Sequence, residues 1–331
     1  MNQTLAEKIA DAVLYEGYIL YPYRPSALKN RQRFNFGVLL PPLYSAAQPG
    51  AESWLTQTEC LVLGAANTTL EVKARFLHLR ERAASMPGTL CWQEAVEREM
   101  SVSSLRLREL GERPQSWPFL FPAAQETETL RDARGGVTGE IVRRQAALEA
   151  AVEVRLADGG GQTEQGQLFR LTVRVSNRTP FENARYRSRD EALLYSLVST
   201  HTILRVRGGE FISLLDPPAQ FRAAAAACQN FGAWPALVGE AGTCDTLLSS
   251  PIILYDYPQI APESAGDFFE GAEIDEMLTL LVLTLTEKEK HEMRHCDARA
   301  REILERTEAL PVEQLMKLHG AMRGLRPSGR Q

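Results

Sequence analysis

Cysteine is scarce in this chain, and lysine nearly as scarce. The five cysteines among 331 residues, Cys60, Cys91, Cys228, Cys244 and Cys296, are odd in number, far apart and never in a C-x-x-C pair. That spacing writes neither a disulfide framework nor a zinc ribbon, and it fits a reducing cytoplasm. Lysine supplies six of the 37 basic residues and arginine the other 31. A GC-rich coding bias produces such a ratio without function, although guanidinium forks also suit carboxylate-rich partners. No stretch approaches the ~18 uncharged apolar residues of a membrane-spanning helix. Glu7, Lys8, Asp11 and Glu16 break the apolar core that a signal peptide would need, so neither a membrane span nor an export signal is expected. There is no G-x-S-x-G elbow to present a serine nucleophile, and the acids do not follow the alternate-residue order of a calcium loop. No cofactor is expected.

The hydrophobic (44%) and charged (24%) fractions are those of a folded, soluble protein, and at about 150 residues per domain the length suggests two domains. The net charge of −5 argues against broad neutralisation of nucleic-acid phosphates. A soft boundary falls in residues 113–139, where Pro114, Pro118, Pro122 and Gly135-Gly136 interrupt any periodicity and suggest a long irregular connection. The expected division is an N-terminal α+β domain over 1–125 and a hairpin-containing domain with C-terminal helices over 126–331.

Thr4 and Glu7 form a capping-box pattern opening an amphipathic helix through Leu5, Ile9 and Val13 to about Tyr15. Several of the short runs at 18–21, 34–40, 58–63, 70–77, 92–100 and 105–107 then read as strands, with 92–100 open to a short helix. Alternation over 167–175 against 139–156 suggests a long antiparallel hairpin with Asp158-Gly159-Gly160-Gly161 at its tip. That tip precedes a strand rather than a helix, so it does not make a phosphate cradle. Ser188 and Glu191 form a second capping box, for a helix ending near Thr200. Residues 203–206 and 210–215 read as a hairpin through Gly208-Gly209, followed by an Ala-rich helix over 219–229 and a buried strand over 247–255. Two tail helices, 287–308 and 312–323, flank Pro311. The expected fold is α+β, with a β-rich body of mainly antiparallel strands, an N-terminal helix and a C-terminal helical hairpin.

His291-Glu292-Met293-Arg294-His295 matches H-E-x-x-H, the spacing by which two histidines on one helical face hold zinc while the glutamate acts on its water. At 100° per residue, however, Met293, Cys296, Ala300, Ile303 and Leu304 form the apolar stripe, and His291 and His295 fall roughly opposite, among Lys288, Lys290 and Arg294. A solvated charged face is the simpler reading. Zinc-dependent hydrolysis by His291, Glu292 and His295 is the alternative. His319 reads as a half-buried core histidine and His201 as a helix-end cap, and His78 carries no stronger case.

Charge is partitioned along the chain. From Ala223 to Glu287 there is no Lys or Arg but ten acids, among them Asp256, Glu263, Asp267, Glu270, Glu273, Asp275 and Glu276. Arg24, Lys29, Arg31 and Arg33 place four cations in ten residues beside Tyr18, Tyr21, Tyr23, Phe34 and Phe36. The bland account is pairing within the fold, or a solvated acidic loop. The functional account makes residues 262–269 a docking loop with Phe268 and Phe269 as anchors and acids as a steering rim, opposite a basic aromatic patch. A protein partner fits this better than nucleic acid. A small-molecule site in the β-rich half is a third possibility, for which the sequence names no ligand.

In Tyr21-Pro-Tyr-Arg-Pro-Ser-Ala-Leu-Lys-Asn30, Thr58-Glu59-Cys60, Leu214-Leu-Asp-Pro-Pro218, Ser250-Pro-Ile-Ile-Leu-Tyr-Asp256, Ala261-Pro-Glu-Ser264 and Glu273-Ile-Asp-Glu276, the chain resembles a family of bacterial proteins encoded in nickel-iron hydrogenase gene clusters. The resemblance runs from end to end. It implies a cytoplasmic, chaperone-like accessory role, binding an immature hydrogenase subunit or maturation factor, and it carries over no catalytic residues.

Overall fold

The computed structural model describes residues 2–14, 36–48, 50, 52–84, 92–111, 113–131, 134–163 and 166–258, and then 287, 290, 294, 301, 304, 305, 308 and 309. The chain divides into two compact units, Met1–Tyr18 with Phe34–Pro258, and Ile19–Arg33 with Gln259–Gln331. Within the first, the described strands are β1 (Leu55–Ala84), β2 (Trp92–Arg106), β3 (Gln115–Phe121), β4 (Ala124–Arg131), β5 (Val137–Gln145), β6 (Leu148–Thr163), β7 (Gly166–Asn177), β8 (Val198–Ile212), β9 (Trp234–Leu237) and β10 (Thr246–Ser250). They form one antiparallel sheet of order β3-β6-β7-β1-β8-β10-β9, with β2 and β5 also paired to β1, and β4 to β5. The β-rich antiparallel body is therefore present. The division expected at residue 125 falls between β4 residues of this sheet.

β1 organises the sheet because it changes neighbours along its length. Residues 55–64 pair with β7 and residues 69–82 pair with β2 on that same side, while β8 runs along the other side of both halves. Alternate residues Cys60 and Val62, then Leu70, Val72, Ala74 and Phe76, enter one buried cluster with Met100, Val152, Val173, Leu204 and Phe211. Phe76 meets Phe121 of β3 edge-on at 5.2 Å, although β3 lies on the far flank of the sheet. The sheet thus curls over itself and encloses its own core. α1 (Asn2–Leu14) covers the outside of β1, β8 and β10 with Ala6, Ile9, Ala10 and Leu14. Glu7 and Asp11 tie it down through Lys73 at 2.9 Å and Arg75 at 2.6 Å. No helix among the described residues is long and apolar enough to cross a membrane.

Several local expectations give way to strand pairing. Residues 113–139 are not an irregular connection but hold β3, β4 and the start of β5. Pro118 is tolerated because β3 is an edge strand bonded only to β6. The 139–156 segment splits into β5 and β6. The hairpin with β7 closes at Thr163 and Gly166, so the Asp158–Gly161 glycines form a bulge rather than the tip.

The Ser188–Glu191 capping box forms, but its helix α2 (Arg189–Leu193) is short, and Val198 already opens β8. His201 accordingly lies buried in a strand instead of capping a helix. Gly208-Gly209 make no hairpin. They lie within β8 opposite the β1 irregularity at 64–69, where the Thr68 hydroxyl donates to Gly208 O at 2.5 Å. A Cβ on Gly209 would stand 2.8 Å from Leu63 O, so the glycine lets both strands bend together at close approach. The Ala-rich helix is only α3 (Arg222–Ala226), after a 3-10 turn, and the apolar strand expected over 247–255 stops at Ser250.

The helical hairpin expected over 287–308 and 312–323 lies mostly outside the described residues. Those described at 287–308 are helical, and Lys290 and Arg294 reach Glu308 at 3.5 and 2.6 Å. A straight helix would separate residues 294 and 308 by about 21 Å. They do not lie on one continuous straight helix.

Candidate interaction face

Asp256 is the one predicted contact residue within the described chain. Tyr21, Tyr23, Arg24, Lys29, Arg31, Arg33, Glu263, Asp267, Phe268, Phe269, Glu273, Asp275 and Glu276 lie outside it, as do His291, Glu292 and His295. Both carboxylate oxygens of Asp256 are engaged. Ser213 Oγ donates to Oδ2 at 2.5 Å and the Leu237 amide donates to Oδ1 at 2.8 Å. Ser213 Oγ in turn accepts from the Leu215 and Asp216 amides at 3.1 and 2.9 Å. The Tyr257 amide returns to Leu237 O at 2.7 Å, with Tyr257 in the left-handed region at φ +57°. Burial first, then the neighbouring Cys244 thiol, push the Tyr257 hydroxyl up to about 12. This knot fixes the end of β8, the end of β9 and the chain after β10.

A second tie holds the segment leading into β9. Gln57 and Phe231 exchange both backbone hydrogen bonds at 2.9 Å. Asn230 extends that bridge with its side chain, accepting from the Glu59 amide at 2.9 Å and donating to Glu59 O at 3.2 Å. The buried Glu59 carboxylate accepts from Thr172 Oγ1 at 3.1 Å and the Gln229 amide at 2.9 Å. Thr58 and Ser249 share a buried hydroxyl contact at 2.6 Å. The first tie thus joins residues 213–216 to Asp256, and the second holds Thr58 and Glu59 against Ser249 and residues 229–231.

The tied segments bear large apolar side chains in the open. Leu215 is 52% exposed, Phe231 53%, Trp234 41%, Ile253 70% and Tyr255 86%. Exposed apolar groups on hydrogen-bonded segments are the usual material of contact surfaces. Sequence reading missed all five. The apolar run at 247–255 resembles a buried strand, and only Ser250-Pro251 hints that its end turns outward. From Ala223 to Pro258 every charged side chain, Glu240, Asp245 and Asp256, is acidic.

The Cys60 and Cys228 thiols are held protonated. Burial raises Cys60, and burial followed by Glu59 raises Cys228 to about 11. Among the described residues no group of three or more His, Cys, Asp or Glu side chains is arranged to hold a metal ion. Comparison with protein-family models and with curated proteins finds no match to the chain.

Proposed function

We propose that this chain is a non-catalytic accessory or assembly protein of the cytoplasm that binds an immature nickel-iron hydrogenase subunit. The face set by the Asp256 knot is the contact, with Trp234, Ile253 and Tyr255 as anchors. The acid-only stretch from Ala223 to Glu287 steers a basic partner toward it. The partner's identity rests on the family resemblance. The observation that carries the binding reading is the set of exposed apolar side chains on segments fixed by hydrogen bonds, since ordering these groups on binding then costs little entropy.

Co-purification from a cell that makes the hydrogenase, with native protein in low salt, tests both parts. The wild-type chain is expected to recover a hydrogenase subunit, and Ile253→Ala with Tyr255→Ala to lower its yield at least tenfold. Recovery of no hydrogenase component contradicts the reading.

A further inference from the structure

A recess of about 490 Å³ opens where β1, β6, β7 and the 3-10 turn Leu107–Glu109 meet. Its lining includes the core residues Leu107, Leu110 and Leu156, with Phe169 packed beside them. Two irregularities hold it open. β1 leaves its register between Gly64 and Thr69, and β6 bulges between Asp158 and Gly161. Gly166 fixes the wall between them, because a Cβ there would lie 2.6 Å from Gly64 O. The Leu156 amide bonds to Gly111 O at 3.0 Å and pins the turn to β6. Side-chain packing would normally fill such a gap in an apolar core.

The charged groups at the recess are unequal. Asp158 Oδ1 is turned back onto the Gly160 amide at 2.9 Å, which commits it to the bulge. Glu109 is shared: Arg106 holds it at 3.3 Å, and Arg108 approaches it only at 3.9 Å, beyond hydrogen-bond distance. Arg108, half-exposed, is thus a lining cation with five donors for an incoming acceptor. An apolar floor with one guanidinium in the lining matches an apolar body that ends in a carboxylate. We propose that this recess binds a medium-chain aliphatic monocarboxylic acid, chain inward and carboxylate on Arg108.

Calorimetric titration with decanoate, and with 1-decanol as the uncharged comparison, tests this. Decanoate is expected to bind saturably at one site. Arg108→Ala is expected to weaken it at least tenfold while changing decanol less than twofold. Ala66→Trp, at the β1 irregularity, and Ala157→Trp, on β6, both at residues that line the recess, are expected to abolish both ligands, with urea unfolding confirming that each variant is folded. Absence of saturable decanoate binding overturns the proposal, as does binding that survives both tryptophan substitutions. Equal losses of acid and alcohol on Arg108→Ala overturn the assignment of the carboxylate.

Discussion

His78 lies on β1 with its side chain fully buried. Burial first, then the Arg98 guanidinium, lower its pKa from 6.5 to about 4, against a small opposing effect of the Ala146 backbone. An unfolded chain takes up this proton near 6.5 and the folded chain only near 4. The His78 contribution to stability is therefore whole above pH 6.5 and lost as the pH falls toward 4, by about 3 kcal/mol in all. Urea unfolding across that range is expected to register this loss, and His78→Leu to flatten the slope. Two positions further along the same face, Arg80 contacts the buried Glu94 at 3.0 Å, with Arg82 at 3.3 Å and Arg143 at 2.9 Å. Glu94→Gln leaves three guanidiniums with their shared acid gone and is expected to cost about 3–5 kcal/mol. Chemical denaturation of the single variant measures it; a loss under 1 kcal/mol means that Glu126 and Glu128, already paired to Arg80 and Arg143, suffice.

At the scale of elements, the bend shared by β1 and β8 depends on glycine at 209. Gly209→Val drives a side chain against Leu63 O and is expected to destabilise by more than about 2 kcal/mol. Gly208→Ala meets open space at φ +74° and is expected to cost about 1 kcal/mol of backbone strain. Equal costs in urea unfolding would deny the close approach. This bend also marks the limit of what was legible. α1, the Ser188–Glu191 cap and the pairing of 167–175 with the segment before it are local patterns, and the sequence displays them directly. Whether Gly208-Gly209 reverses the chain or merely bends it is decided by Gly64 and Thr68, some 140 residues earlier, which no window contains. Trp92–Met100 was ambiguous for the same reason, and β1 settles it as strand by pairing with it. At the candidate face, Asp256 was legible only as a member of an acidic series. Its engagement by Ser213 and Leu237, and the exposure of Ile253 and Tyr255 that follows, exist only in the folded chain. Asp256→Ala strands a hydroxyl and an amide and is expected to cost about 1–3 kcal/mol.

On the scale of the whole molecule, one curled sheet supplies two different surfaces. At one place two register breaks leave the recess beside Arg108; at another, side-chain ties hold apolar groups outward in a segment that carries only negative charge. The second is suited to a macromolecule with a basic margin. Association through it is expected to slow as salt rises, because screening acts on the steering charges and much less on the apolar anchors. The most direct measurement is recovery of partners by native wild-type protein and by the Ile253→Ala, Tyr255→Ala variant from the same extract in low salt. A hydrogenase subunit that travels with the wild type and is lost at least tenfold from the variant is the predicted result. Equal recovery by both proteins, or no hydrogenase subunit with either, contradicts the account.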